Sequence, residues 1–284
     1  MTTTWKDRLF IASQYLAPQH TLSRLVGALA ESEFGPVRNT FIRQFAARFN
    51  VDMSEAERES LGDYRNFNDF FTRALKADAR PFPEIADAFA CPVDGAVSQI
   101  GRIEGERIFQ AKGQSFNATE LLGGDAQQAR YYRNGQFATL YLSPRDYHRI
   151  HMPCNGKLLR TTFVPGRLFS VNTVTADHVP RLFARNERLV CEFETDHGRM
   201  IMVLVGAMIV ASIETTWAGV VAPYQRQILQ HHYDEPDLHL SRGEEMGRFR
   251  LGSTVILMLP DNSLAWSADL VSGAQVRLGQ AMTR

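Results

Sequence analysis

The hydrophobic pattern of this chain changes once, and that change sets its fold class. In residues 1–50, apolar side chains recur at helical spacing. From about residue 92 they form short apolar or β-branched runs that are broken by Gly, Pro and Asn. Few helical stretches separate these runs, which favours a mainly antiparallel sheet over a Rossmann unit. The sequence therefore predicts an α+β protein, with a helical region over 1–90 and a β-rich core over 91–284.

The predicted N-terminal helices are amphipathic, aromatic and basic. Residues 1–50 hold six Lys and Arg against three Asp and Glu, a local net charge of +3. Most amphipathic helices pack on the protein's own core, whereas basic helices with an aromatic apolar face also lie in membrane interfaces. The periodicity leaves both alternatives open. The apolar stripes are Trp5, Leu9, Ala12 and Leu16; Leu22, Leu25, Val26 and Leu29; and Val37, Phe41, Phe45 and Phe49.

Composition excludes several classes of protein. Lys plus Arg and Asp plus Glu number 31 each, so net charge gives no general attraction to nucleic acid. Three cysteines without a CxxC spacing argue against a disulfide framework and for a reducing compartment. Residues 1–10 do not resemble a signal peptide. The longest apolar run, 200–213, is too short to span a bilayer, which takes about 20 residues, and we interpret it as a buried strand pair.

Three short motifs carry groups that could do chemistry. Residues 92–95 (PVDG) place Asp94 in a turn, residues 143–151 (SPRDYHRIH) place His148 and His151 three apart, and residues 251–254 (LGST) place a serine after glycine. Each has an ordinary explanation when it is taken alone. Asp-Gly after Pro is a common turn, a His-x-x-His pair has no third metal ligand here at a recognisable spacing, and Gly-Ser-Thr occurs in many turns.

Taken together and in this order, the motifs resemble those of the phosphatidylserine decarboxylase family of the bacterial and mitochondrial type. The resemblance spans nearly the whole chain, and the run 141–156 is its most specific part. It rests on 65–71 (RNFNDFF), 92–95 (PVDG), 141–156 (YLSPRDYHRIHMPCNG), 169–172 (FSVN), 183–188 (FARNER) and 245–254 (EMGRFRLGST).

This resemblance implies a self-processing enzyme whose prosthetic group is a pyruvoyl made from Ser253, without metal or pyridoxal phosphate. Cleavage between Gly252 and Ser253 would give a large subunit, 1–252, and a small subunit, 253–284, which stay associated as a heterodimer; a dimer of such heterodimers is left open. The family assigns Asp94, His151 and Ser253 to self-cleavage.

The resemblance also assigns His148 to substrate decarboxylation, and we interpret it as the proton donor. A pyruvoyl ketone condenses with the substrate amine as a Schiff base and accepts electrons when CO2 leaves. The product of phosphatidylserine would be phosphatidylethanolamine. Arg149, by its charge and position, is a candidate for binding the lipid phosphodiester. The expected location is the cytoplasmic face of the bacterial inner membrane, as a peripheral protein with no nucleic-acid partner.

Three other functions are consistent with parts of this sequence. Asp94, His151 and Ser253 follow the order Asp, His, Ser, which some serine proteases share, although Ser253 does not lie in a GxSxG elbow. A non-catalytic membrane-binding relative would need to lose Gly252 or the triad, and neither is lost. A pyruvoyl decarboxylase for a soluble amino acid is a nearer alternative, which the amphipathic N-terminus disfavours.

Overall fold

The computed structural model describes residues 4–82, 88–208, 212–221, 226–234, 237–250, 253–261 and 264–283, except for the Ser253 side chain. It confirms an α+β fold. Its helices, besides a 3-10 turn at Leu61–Asp63, are α1 (Trp5–Leu16), α2 (Gln19–Ala30), α3 (Gly35–Phe49), α4 (Phe67–Phe71), α5 (Ala118–Leu121), α6 (Ala126–Tyr131), α7 (Thr173–His178) and α8 (Leu182–Arg185).

The strands begin at residue 95, as the change of pattern predicts. They are β1 (Gly95–Arg102), β2 (Arg107–Ala111), β3 (Gln114–Asn117), β4 (Gln136–Leu142), β5 (Arg149–His151), β6 (Gly156–Val164), β7 (Arg188–Thr195), β8 (Gly198–Val205), β9 (Ile213–Thr215), β10 (Gly219–Val221), β11 (Leu229–His232), β12 (His239–Leu240), β13 (Glu245–Phe249), β14 (Ser253–Leu259) and β15 (Gln275–Val276).

A nine-stranded antiparallel sheet forms the centre of the described structure. Its order is β11-β6-β7-β8-β14-β4-β1-β15, with β12 also paired to β6. A four-stranded sheet, β10-β9-β13-β5, lies beside it, and β2 pairs with β3. Strand β14 is central, because it pairs with β4 on one side and with β8 on the other.

Apolar side chains cover both faces of the central sheet, which explains why its strands read as continuous hydrophobic runs. Along β14, Ile256 belongs to one buried cluster while Val255 and Leu257 belong to the other. The run 200–213 contains β8 and the start of β9, which belong to different sheets and do not pair with each other, although the sequence suggested a strand pair. Residues 209–211 lie outside the described residues. The three cysteines are buried free thiols.

The N-terminal helices pack on the core through unexpected side chains. Gln14 is buried and its Oε1 accepts a hydrogen bond from the Ser170 N–H at 2.9 Å, while Gln19 receives the Leu168 N–H in the same way. The apolar stripe of α1 faces outward: Trp5 is 70% exposed and Leu16 is 85% exposed. No helix in the described ranges is long and apolar enough to cross a membrane.

Candidate active site

The loop after β4 is a compact turn that positions both histidines. The Ser143 N–H donates to Asp146 Oδ2 at 2.6 Å, and the Asp146 N–H donates to the Ser143 carbonyl at 2.9 Å. An aspartate that bonds the backbone three residues earlier fixes such a turn. Burial raises the pKa of the Asp146 carboxyl. The turn delivers Tyr147 and His148 to the interior, immediately before β5.

His148 is fully buried and has one unused ring nitrogen. Its Nδ1 lies 2.8 Å from the Asp146 carbonyl oxygen, which can only accept, so Nδ1 carries the proton. Nε2 is a buried acceptor with no hydrogen-bond partner among the described residues. The ring packs 4.0 Å from the Phe71 ring, centroid to centroid. Burial is the main cause that lowers the pKa of His148 to about 3; the hydrogen bond to the Asp146 carbonyl opposes this shift and the nearby Arg73 charge adds to it, so the ring is neutral.

His151 is held at both of its ring nitrogens. Nδ1 donates to the Gly243 carbonyl at 2.8 Å, and the Tyr147 hydroxyl lies 3.0 Å from Nε2. Since Nδ1 carries the proton of the neutral ring, Nε2 accepts from the Tyr147 O–H. Burial lowers the pKa of His151. The nitrogen that can accept a proton is therefore Nε2, which Tyr147 covers.

Asp94 forms a buried ion pair that the sequence did not indicate. The Arg80 guanidinium donates to it from Nε at 2.9 Å and also from Nη2, and the Leu278 N–H donates to Oδ1 at 2.8 Å. Arg80 also binds Glu55 at 2.7 Å. Asp94 and His151 are close in the chain fold, since the His151 N–H donates to the Pro92 carbonyl. Their side chains share no hydrogen bond in the described structure.

The serine motif reaches the same region through two backbone pairings. Ser253 begins β14 and is paired in register with Leu142, the last residue before the histidine loop. The Phe249 N–H donates to the His148 carbonyl at 3.0 Å, at the end of β13. Leu251 and Gly252 lie outside the described residues. The fold thus brings the ends of all three motifs together, although they are far apart in sequence.

Arg149 is already engaged in the described structure. Its Nη1 binds Glu245 Oε2 at 2.9 Å and its Nε donates to the Thr72 carbonyl at 2.9 Å. This ion pair bridges β5 and β13, which are neighbours in the four-stranded sheet. These contacts indicate a structural role for Arg149, and its binding of a phosphodiester stays a prediction.

A polar cavity of about 350 Å³ adjoins these groups. Its walls include Asp94, Tyr147, Arg145 and Arg73, so it reaches the group that covers His151 Nε2. Within the described ranges, no set of three or more His, Cys, Asp or Glu side chains is arranged to hold a metal ion. The arrangement provides one buried and one partly buried neutral histidine, a carboxylate paired with an arginine, and an open cavity beside them.

Tyr147 and Arg80 are contacts that the sequence reasoning missed. Tyr147 lies inside the quoted motif, four residues before His151, and only the geometry links the two side chains. Arg80 lies in a loop 14 residues before Asp94 and shares no periodic pattern with it. A carboxylate that is 7% exposed needs a partner, so the burial of Asp94 would have been the signal to look for one.

Comparison with known proteins gives the same assignment as the motifs. The family model for phosphatidylserine decarboxylase matches residues 67–284, and a second model, PSD, matches residues 9–50. A phosphatidylserine decarboxylase proenzyme of Ectopseudomonas mendocina is 56% identical over 280 residues, covering 98% of each chain. The Bordetella pertussis proenzyme is 57% identical, covering 98% of this chain and 95% of its own. The chain belongs to the phosphatidylserine decarboxylase family.

Proposed function

We propose that this chain is a proenzyme that cleaves itself before Ser253 and then decarboxylates phosphatidylserine to phosphatidylethanolamine. One observation carries the proposal: the paired strands bring the serine motif, the histidine loop and the Asp94 turn to one place, in a chain that belongs to this family. The relatives' designation as proenzymes supports cleavage into two chains.

Self-cleavage needs a base for the Ser253 hydroxyl, and neutral His151 meets that need once the Tyr147 hydroxyl leaves Nε2. The serine oxygen then attacks the Gly252 carbonyl carbon and an N-to-O shift gives an ester. Loss of the Ser253 α-proton expels the Gly252 carboxylate and leaves dehydroalanine, which takes up water and loses ammonia. We assign Asp94 to the electrostatic support of protonated His151, because its charge raises the His151 pKa without a direct hydrogen bond between the two side chains.

The small subunit would stay bound after cleavage, because it supplies structure to the large one. Strand β14 lies between β4 and β8, and β15 pairs with β1. The segment after β15 is also tied to the large subunit, since the Cys91 N–H donates to the Gln280 carbonyl at 2.7 Å and the Met282 N–H to the Phe89 carbonyl at 2.8 Å. Removing β14 would expose the two hydrophobic clusters that its side chains contact on either face of the sheet.

The residues around the start of β14 fit a pyruvoyl group. His148 Nε2 and Thr254 Oγ1 are buried polar atoms without partners among the described residues, and such atoms call for a polar neighbour. The group supplies an electrophilic ketone that accepts the electrons released with CO2. His148 is neutral and its buried Nε2 has no partner among the described residues, so we assign Nε2 to pass a proton to the substrate α-carbon once CO2 has left.

The N-terminal helices would hold the enzyme at the membrane that contains its substrate. The exposed side chains of Trp5, Leu9 and Leu16 form an outward apolar stripe on α1, and Leu25 and Leu29 are exposed on α2. A stripe that faces the protein's own core would be buried, so its exposure favours an external partner. The local net charge of +3 suits an anionic lipid surface. We assign the protein to the cytoplasmic face of the inner membrane.

Mass spectrometry tests the processing step. Purified wild-type protein should give two chains split between Gly252 and Ser253, and the small chain should lack the mass of ammonia relative to its serine form. Ser253→Ala should give one full-length mass. A single full-length mass for the wild-type protein under several folding conditions would refute self-processing.

Vesicle flotation tests the membrane surface. Trp5→Ser/Leu9→Ser/Leu16→Ser should lose binding to vesicles that contain anionic lipid, while processing continues. The control variant is Val271→Ser, because Val271 is an exposed apolar residue in the C-terminal segment, whereas a core residue such as Leu140 is buried. Equal flotation of the triple variant and the wild-type protein would overturn this assignment.

A further inference from the structure

Arg73 is a buried cation that faces the cavity beside the histidines. It follows α4 directly, is only 3% exposed, and lines the cavity of about 350 Å³. Its Nη2 donates to the Arg145 carbonyl at 3.0 Å, whereas its buried Nε has no hydrogen-bond partner among the described residues. A buried N–H that lacks an acceptor is costly, so an acceptor supplied by a ligand would stabilise this arrangement.

The other cations that line the cavity already have carboxylate partners. Arg80 binds Asp94 and Glu55, Arg277 lies 3.5 Å from Glu55, and Arg145 lies 3.9 Å from Asp146. Within the described residues, Arg73 forms no ion pair of this kind, and burial lowers its pKa. A buried charge without a counter-ion is strongly unfavourable. The Asp94 and Asp146 carboxylates also line the cavity and act on Arg73 without forming an ion pair with it, so an anion that enters the cavity would supply the direct counter-ion that Arg73 lacks among the described residues.

Arg73 is also next to the histidine that we assign to decarboxylation. Its Nη2 lies 3.5 Å from the Asp146 carbonyl oxygen, and His148 Nδ1 donates to that same oxygen at 2.8 Å. Both side chains therefore meet on one backbone atom. An anion bound by Arg73 would be held a fixed, short distance from His148.

We propose that Arg73 binds the phosphodiester of the phospholipid headgroup, which deepens and rests on the proposed function. The headgroup of the substrate carries two anions, the phosphodiester and the carboxylate. The carboxylate loses its charge as CO2 departs, so a cation bound to it would stabilise the ground state more than the transition state. The phosphodiester keeps its charge throughout. Arg149 is neutralised by Glu245, whereas Arg73 has an unused N–H.

Kinetics with a soluble substrate separate this role from membrane docking. Below its micellar concentration, a short-chain phosphatidylserine should show a KM raised about 10- to 100-fold by Arg73→Met, since a charge-assisted hydrogen bond is lost. The kcat should change little, because the anion is bound equally in ground and transition states. Arg73→Lys should fall between Arg73→Met and the wild-type protein.

Arg188→Lys is the matched control. Arg188 is also buried, at 2% exposure, and donates to the Glu120 and Leu121 carbonyls away from this cavity. Its replacement should leave KM unchanged in the folded, processed fraction. A KM for Arg73→Met that equals the wild-type value, or one that rises equally in Arg188→Lys, would overturn the assignment.

Binding to the unprocessed Ser253→Ala protein distinguishes this inference from the proposed function. By calorimetry, glycerophosphoethanolamine, which has the phosphodiester and no carboxylate, should bind Ser253→Ala and bind Ser253→Ala/Arg73→Met at least about tenfold more weakly. Free serine, which has the carboxylate alone, should show no dependence on Arg73. Dependence of serine rather than glycerophosphoethanolamine on Arg73 would refute phosphodiester binding. A protein that binds in this way but never decarboxylates would refute only the proposed function.

Discussion

Replacing Arg80 with methionine should destabilise the fold far more than replacing an exposed arginine. Arg80 and Asp94 are 9% and 10% exposed at their side chains, and Arg80 Nε lies 2.9 Å from Asp94 Oδ1. Methionine fills a similar volume but removes the charge. Among the described residues, Asp94 would keep the Leu278 N–H as its one remaining donor, and the carboxylate would stay buried without a paired cation.

The size of the effect follows from the burial of both partners. Removing one member of a buried ion pair costs about 3–5 kcal/mol, and the retained Leu278 N–H places Arg80→Met near the lower end, at about 3 kcal/mol. Asp94→Asn should cost less, because Arg80 keeps Glu55 at 2.7 Å. The double variant removes both charges, so we expect a coupling energy of about 2 kcal/mol between the two positions.

Urea denaturation of the Ser253→Ala background provides the measurement, since that protein remains one chain. The midpoints should fall while the dependence on urea concentration stays constant. Arg107→Met is the control, because Arg107 and Glu104 form an ion pair at 62% and 69% exposure, for which we expect a loss of at most about 1 kcal/mol. If Arg80→Met unfolds no more readily than Arg107→Met, the buried ion pair between Arg80 and Asp94 does not stabilise the fold as argued.

Two further predictions concern the histidines. Tyr147→Phe removes the hydroxyl that stabilises neutral His151, so the His151 pKa and the pH of half-maximal processing should both rise. Tyr132→Phe is the control: the Tyr132 hydroxyl is buried without a partner in the described structure, and its loss should change neither quantity. The pKa of His148 is lowered from 6.5 to about 3 in the folded chain. Between these two pH values, His148 is protonated in the unfolded chain and neutral in the folded chain. The free energy of unfolding should therefore fall as pH falls from 6.5, by about 1.4 kcal/mol per pH unit at most. If it depends on pH equally in Ser253→Ala and in Ser253→Ala/His148→Gln, this explanation is wrong.

Local pattern was sufficient to predict the N-terminal helices and the longer strands, whose periodicity is decided by their own neighbours, but it did not predict the short helices α5 to α8. The segments 137–142, 189–193 and 255–259 are among the short apolar or β-branched runs that predict strands, and they lie within β4, β7 and β14. The order of those strands could not be read from the chain. Strand β14 lies between β4 and β8, more than 100 residues from the former in sequence, and nothing local specifies such a pairing.

The sequence predicted a set of candidate site residues but not their contacts. The motifs indicated Asp94, His148, His151 and Ser253, and the fold brings their backbones together. The resemblance implied that Asp94 acts with His151, whereas the Asp94 carboxylate pairs with Arg80 in the described structure. Ionic partners are chosen by three-dimensional proximity and burial, and the loop that carries Arg80 has no periodicity that places it.

The location of the proposed cleavage site explains how a chain can cut itself and keep its fold. The strand before it, β13, pairs with β5 and β9 in the four-stranded sheet, while β14 after it pairs with β4 and β8 in the central sheet. The bond between residues 252 and 253 therefore joins two sheets that are each held by their own partners. Cutting it breaks no strand pairing, and the new N-terminus arises at the end of a strand whose other atoms remain buried. A break within β14 would instead divide the central sheet.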